Sequence, residues 1–271
     1  MITKQYKEKD GVKIFDEVNR NEDYDPKGLD VLFSQEDKHF WFIARKEFIL
    51  KYFKRYVKSD RKIIDVGGGT GNLAKYLLSN GYNNVSISDM HLKGLKYASL
   101  YYGIKGCYLF DLLDTPFENE FDTVCMFDVL EHIDDDDLAI KNVYKMLKVG
   151  GEFVLTVPSH KWLWGYTDEI SGHKRRYTKR EICQKLSDNG FKILVARYFF
   201  ISIVPLLFIR KFLYTKKFFE NSKKKGRNEI DISLNPLLNS FLLFLTRIEN
   251  SVNEFLPNFF GGSLFVIAIK K

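Results

Sequence analysis

Residues able to do chemistry concentrate in two stretches of this 271-residue chain. The first, DVLEHIDDDD over residues 128–137, places Asp128, Glu131 and His132 within five residues. The second, SHKWLWGYTDEISGHKRRY over residues 159–177, carries His160, Trp164, Asp168, His173, Arg175, Arg176 and Tyr177. An imidazole with its ordinary pKa of about 6.5 accepts a proton near neutral pH, so His132 and His173 are the candidate general bases. Lys174, Arg175 and Arg176 follow His173 directly, and a guanidinium fork matches a phosphate or carboxylate through paired N–H groups. The indoles of Trp162 and Trp164 suit the apolar face of a sugar ring. This pattern predicts a small, anionic, hydroxylated acceptor bound by His160, Trp164, Asp168, Arg175, Arg176 and Tyr177. The other reading of the arginines is that they pair with the acidic residues around Asp134 to Asp137 or face solvent. Two carboxylates and an imidazole at the first stretch have a spacing at which a divalent cation could be held. The run of four aspartates reads more simply as N-cap and first-turn charge for the helix LAIKNVYKML, and no metal is expected.

These groups need a scaffold, and the chain is organised around RKIIDVGGGTG, residues 61–71. A short apolar run ending in Asp65 and four glycines predicts a buried parallel strand and a tight turn. The leucines of NLAKYLLSN then start a helical period. Glycines at Gly67, Gly69 and Gly71 let backbone approach a ligand beside the unpaired N–H groups of a helix N-terminus. The dinucleotide spacing GxGxxG fails, because Asn72 stands where the last glycine belongs, and a phosphate loop fails for want of its lysine. VSISDM (residues 85–90) is a second strand ending at Asp89, where a carboxylate can take both hydroxyls of a ribose.

From these two strands onward the sequence resembles the class I S-adenosylmethionine-dependent methyltransferases. DVGGGTG is similar to their first motif and SDM to their second. FDLLDTPF (110–117) is similar to the stretch that reads the adenine, FDTVCMFDVLEHI (121–133) to the fourth strand and its loop, and MLKVGGEFVLTVP (146–158) to the helix, turn and fifth strand. The resemblance implies S-adenosyl-L-methionine as cofactor, with S-adenosyl-L-homocysteine as product. It implies that Arg45, Asp65, Gly67, Gly69, Gly71, Asp89, Met90, Asp111, Leu112 and Phe127 bind it. Asp111 would accept the adenine amino group, Met90 pack on the base, Arg45 pair with the methionine carboxylate, and Glu131 support a histidine facing the acceptor. The WLW, DE and GH.RRY pattern of residues 162–177 resembles a bacterial subgroup linked to surface-polysaccharide or secondary-metabolite pathways. The implied activity is methyl transfer to oxygen. The alternatives are a phenolic or quinone acceptor and a non-catalytic cofactor-binding partner or scaffold.

Composition bounds the rest. A hydrophobic fraction of 45% is ample for a core, and one α/β domain with additions is the economical reading. Cys107, Cys125 and Cys183 are odd in number and far apart, which predicts buried free thiols, no disulfide and a cytoplasmic protein. The polar N-terminus lacks the apolar core of a signal peptide. A net charge of +7 raises nucleic acid as a partner, but the excess lies in HKRRYTKR and in Arg210 to Arg227, neither part of a nucleic-acid module, so none is expected.

The expected fold is a Rossmann-like α/β sheet of seven strands, mostly parallel with an antiparallel last strand, and helices on both faces. Residues 1–58 form an extended arm or short strands ending at Asp25-Pro26 and one lid helix over Leu29 to Val57, with Trp41 and Arg45 a turn apart. Residues 59–200 and 259–271 form the cofactor domain. Residues 201–258 form a helical insertion, too short in its apolar runs to span a bilayer. It is expected to be an acceptor lid, a homodimer face, or a basic membrane contact through residues 198–227.

Overall fold

The computed structural model describes residues 1–15, 26–224 and 234–271, with side chains from 28 and through 220 around the two gaps. Asp25 and the Arg227 end of the basic run lie outside the described residues. A short hairpin opens the chain, β1 (Lys7–Lys9) and β2 (Val12–Ile14), followed by α1 (Pro26–Gln35) and α2 (Phe40–Tyr56). Then come β3 (Ile63–Val66), α3 (Asn72–Ser79), β4 (Val85–Asp89), α4 (Leu92–Lys96), β5 (Gly106–Leu109) and β6 (Phe121–Phe127). The second half holds α5 (Asp136–Met146), β7 (Leu147–Pro158), α6 (Tyr166–Ile170), α7 (Lys179–Asp188) and β8 (Phe191–Phe199). The insertion is α8 (Val204–Leu213), α9 (Lys216–Lys224) and α10 (Pro236–Val252), and β9 (Ser263–Lys270) closes the sheet.

The sheet has nine strands in the order β1-β2-β5-β4-β3-β6-β7-β9-β8. The seven from β3 onward are those expected from the sequence. The two extra strands come from the N-terminal arm, whose β2 pairs parallel to β5 and so extends the edge. β9 runs antiparallel between β7 and β8. Successive strand residues point to opposite faces. Ile63, Phe265 and Ile267 therefore join the core under α2, α3 and α10, while Ile64, Leu264, Val266 and Ala268 join the core under α5 and α7.

The expected single lid helix is two helices. Glu36 to His39 interrupt it, and His39 takes an extended conformation in which its ring accepts from the Trp41 N–H as the N-cap of α2. This break turns Glu36 and Asp37 toward the glycine turn, where Thr70 Oγ1 donates to Glu36 and Asn72 Nδ2 donates to Asp37. Thr178 and Glu181 form the expected reciprocal cap of α7, and Asp135 caps α5 by accepting from Leu138 N–H. All three cysteines are free; Cys107 and Cys125 are buried, and Cys183 is half-buried rather than buried as expected.

Candidate functional site

A cleft opens at the carboxyl ends of β3 and β6, bounded by Glu36, Phe42, Arg45, Lys46, Asp65, Gly67, Gly68, Asn72, Leu73 and Phe127. Its position is the one an open parallel sheet offers, where neighbouring strands send their crossovers to opposite sides. Gly67 and Gly69 both have positive φ, at 73° and 55°, but for different ends. A β-carbon on Gly67 would lie 2.4 Å from Val129 Cγ2, so packing under the turn demands glycine there. A β-carbon on Gly69 would meet nothing within 4 Å, so that side of the turn is open.

Asp65 is only 3% exposed, and its Oδ1 has no hydrogen-bond partner. Burial, partly offset by Arg45 and reinforced by Asp89, pushes its carboxyl up to about 7. Asp89 holds the turn from the other side: Oδ2 accepts from Gly69 N–H at 3.0 Å and Oδ1 from His91 N–H at 2.8 Å. Asp111 accepts from Leu113 N–H at 2.8 Å at the end of β5, with Leu112 buried and Met90 half-buried nearby in the fold. Arg45, expected to face a ligand carboxylate, lines the cleft with its guanidinium on Asp128. Thr156 Oγ1 holds the other oxygen of Asp128 at 3.1 Å, and Asp128 itself sits at φ 57°.

Sequence reasoning missed Glu36, Lys46 and Asn72 as cleft residues and Asp128 as the partner of Arg45. The signal available was the polar run EDKH, which no continuous amphipathic helix would place in its middle. Burial raises the Glu36 carboxyl above its usual range, against the pull of its Thr70 bond.

Just past Phe127 the chain turns into Leu130–His132, and the second stretch folds against it. His173 Nδ1 lies 2.8 Å from Asp168 Oδ1, and the rings of His132 and His173 meet edge-on at 4.8 Å. Asp168 is 1% exposed and is also gripped by Arg176, through Nε at 2.9 Å and Nη2 at 3.1 Å, while Arg176 Nη1 donates to Ser159 O. Its carboxyl is held below the usual range by His173 and Arg176 against the cost of burial. An ionised carboxylate only accepts, so His173 carries its proton on Nδ1 and leaves Nε2 as the basic nitrogen. Burial, with the neighbouring His173, lowers His132 to about 4.

In the rest of the loop, Lys174 and Arg175 follow the other reading of the sequence and pair with the acidic residues around Asp134 to Asp137. Arg176 does not point toward an anion but is buried on Asp168. Arg175 reaches Asp134 O at 2.9 Å and Asp136 at 3.1 Å, and Tyr177 is buried with its hydroxyl donating to Asp136. Lys174 faces Asp134 at 3.6 Å. His160 stacks on Tyr198 at 4.8 Å, Trp164 ends the short helical turn Lys161–Leu163, and Trp162 is exposed.

Glu131, His132 and His173 bring ligand-type atoms within 4.8 Å of one another. Glu131 is fully buried, neither oxygen has a hydrogen-bond partner, Oε1 lies 3.9 Å from His173 Nε2, and burial raises its carboxyl well above the usual range. Burial opposes ionisation of Glu131, and a hard cation needs the ionised carboxylate. Turnover should therefore survive exhaustive dialysis against EDTA; activity that vanishes and returns with magnesium or zinc would reverse this assignment.

Comparison with known proteins follows the same lines. Residues 6–196 match the family described as the methyltransferase domain. Among curated proteins, the 2-methyl-6-phytyl-1,4-hydroquinone methyltransferases of Oryza sativa subsp. japonica and Arabidopsis thaliana are 30% and 29% identical over 107 and 109 residues. These alignments take in 38% and 39% of this chain and 32% of each relative, so the chain spans about a third of the curated relatives it matches. Among solved structures, Haemonchus contortus phosphoethanolamine N-methyltransferase 2 with S-adenosyl-L-methionine has a TM-score of 0.59 at 20% identity, over 92% of this chain and 58% of that one. A geranyl diphosphate methyltransferase with its substrate and sinefungin gives 0.54 at 14% identity, over 84% and 78%. At such identities the likeness is one of fold.

Proposed function

This chain belongs to the methyltransferase-domain family and uses S-adenosylmethionine, and from that premise we propose that it methylates a hydroxyl of an uncharged, phenol- or quinol-like acceptor. When bound, S-adenosylmethionine supplies an electrophilic methyl group on a sulfonium. The cleft fits such a molecule: Asp65 aims an unpaired buried oxygen suited to an ammonium group, and the open side of Gly69 admits backbone contact. In this reading Asp89 receives the ribose hydroxyls, and Asp111 with Leu112 and Met90 receives the base. Gly67 and Gly71 shape the turn, Phe127 forms its apolar wall, and Arg45 orients Asp128 or releases it to meet the methionine carboxylate.

His173 is the base in this reading. Arg176 fixes Asp168, Asp168 fixes the His173 ring, and Nε2 is left to take the acceptor proton as the new carbon–oxygen bond forms. His132 lies edge-on to that ring and stays neutral, adding no charge that would oppose protonation of His173.

The observation that carries the acceptor class is the state of the loop cations. Lys174, Arg175 and Arg176 each have a carboxylate partner in the protein, which favours an acceptor held without them. An uncharged acceptor needs no such cation, and the two curated relatives are named for an uncharged hydroquinone. An acceptor panel tests this. Neutral hydroquinones and catechols should be methylated, sugar phosphates should not, and Arg175→Ala should leave the acceptor KM unchanged. Turnover of phosphorylated sugars with a KM raised by Arg175→Ala would restore the anionic reading.

A further inference from the structure

We propose that the insertion of residues 201–258 seats the protein peripherally on an anionic lipid surface. The first ground is a helix whose outward side is apolar. The side of α10 turned to the protein carries Leu242 in the core together with Thr246, Glu249 and Asn250, all buried, the last three hydrogen-bonded: Thr246 to Leu242 O, Glu249 to the N–H groups of Ile201 and Ser202, and Asn250 to Ala44 O. The side turned to solvent carries Leu237, Phe241, Phe244, Ile248 and Val252, exposed by 82, 58, 63, 47 and 40%. Their spacing of four, three, four and four residues makes one continuous stripe. A row of large apolar side chains left exposed along a helix is shaped for an apolar partner.

The second ground is charge. Residues 210–227 contain eight Lys or Arg and one Glu, which is +7, the entire formal net charge of the chain; the other residues balance to zero. Within that segment α8 and α9 expose Phe212, Leu213 and Phe218 between Arg210, Lys211, Lys216 and Lys217. Aromatic residues interleaved with lysines and arginines are what lets a helix lie in a headgroup layer, apolar side chains inward and cations among phosphates. A two-fold contact with a second copy would instead bring like charges together, at a cost. No helix among the described residues is long and apolar enough to cross a membrane, which leaves lying on one.

The surface adjoins the acceptor loop. Phe208 of α8 meets Trp162 at 6.0 Å, Lys211 donates to Trp162 O at 3.0 Å, and Phe219 of α9 meets Tyr166 at 5.5 Å. A bilayer held there would sit beside the segment that carries Asp168 and His173. The proposal does not depend on which acceptor is methylated.

Vesicle flotation of the full chain is the test, with phosphatidylcholine alone and phosphatidylcholine mixed with phosphatidylserine. The protein should float with the mixed vesicles, stay down with the neutral ones, and be released by high salt. Lys216→Glu with Lys217→Glu should lower partitioning by about tenfold or more. Phe241→Ser with Phe244→Ser, exposed positions whose loss leaves the core untouched, should abolish it while circular dichroism and cofactor binding stay as in wild type. Absence of flotation, or equal flotation with both vesicle types, overturns the proposal. So does a wild-type dimer in sedimentation velocity that Phe241→Ser with Phe244→Ser dissociates, since that gives the stripe to a second copy.

Discussion

His173→Ala should lower kcat by about 10²–10⁴-fold, the usual contribution of a positioned general base, whereas His132→Ala should cost far less. Sequence alone ranks the two histidines equally; geometry and environment separate them. A base works best with a pKa near the operating pH, and burial has taken His132 down to about 4. His173, in contrast, is held by an ionised carboxylate at 2.8 Å that is itself fixed by a guanidinium. The proton therefore has a place to go on Nε2, and the resulting imidazolium has Asp168 beside it. His132 also carries a stability signature. Its folded pKa lies below the unfolded value of about 6.5, so its contribution is present above pH 6.5 and is lost as pH falls toward 4. His132→Ala should flatten the fall in melting temperature between pH 6.5 and 4. Equal loss of kcat in the two variants, measured at saturating cofactor, would sink the assignment of the base.

How much of this was legible beforehand differs between parts of the molecule. Strands β3 to β9 announce themselves because each is an apolar run bounded by a turn signal, and the period-2 division of β9 between two cores follows directly from backbone pleating. For β1 and β2 the sequence allows only an extended arm or short strands without bounds or partners, because three-residue strands with polar sides, such as KEK, have no pattern to detect and owe their pairing to the exposed edge of β5. The lid was misread as one helix since its apolar period runs on both sides of EDKH; only the fold shows that Glu36 and Asp37 must leave it to reach Thr70 and Asn72. Arg175 and Arg176 illustrate the other limit. A sequence shows that a cation is present, not whether a carboxylate 8 or 39 positions away has already claimed it, as Asp168 claims Arg176 and Asp136 claims Arg175.

Asp65→Asn should weaken S-adenosylmethionine binding by about 10²-fold or more, since truncating one side of a buried charge pair costs roughly 2–5 kcal/mol. The same change should stabilise the ligand-free protein. Asp65 is buried with one oxygen unpartnered, so its ionisation is opposed and the folded pKa stands at about 7 against 3.8 unfolded. A raised carboxyl contributes stability that is full below pH 3.8 and is lost as pH rises through 7, so wild type carries a penalty on the order of 2–4 kcal/mol at pH 8. Asparagine, which cannot ionise, removes it. The gain in melting temperature should be largest at pH 8 and smaller at pH 5, where the folded carboxyl is already protonated. Cofactor binding has the matching pH dependence. Below pH 7 an ammonium must displace the proton on Asp65, so wild-type affinity should fall by up to tenfold per unit, and above about pH 8 the α-amino group of the cofactor itself deprotonates. Titration calorimetry from pH 5.5 to 9 should show an optimum between 7 and 8 in wild type and no acid limb in Asp65→Asn. An acid limb that survives the substitution, or a variant less stable than wild type at pH 8, would show that Asp65 is not the buried carboxylate that receives the cofactor.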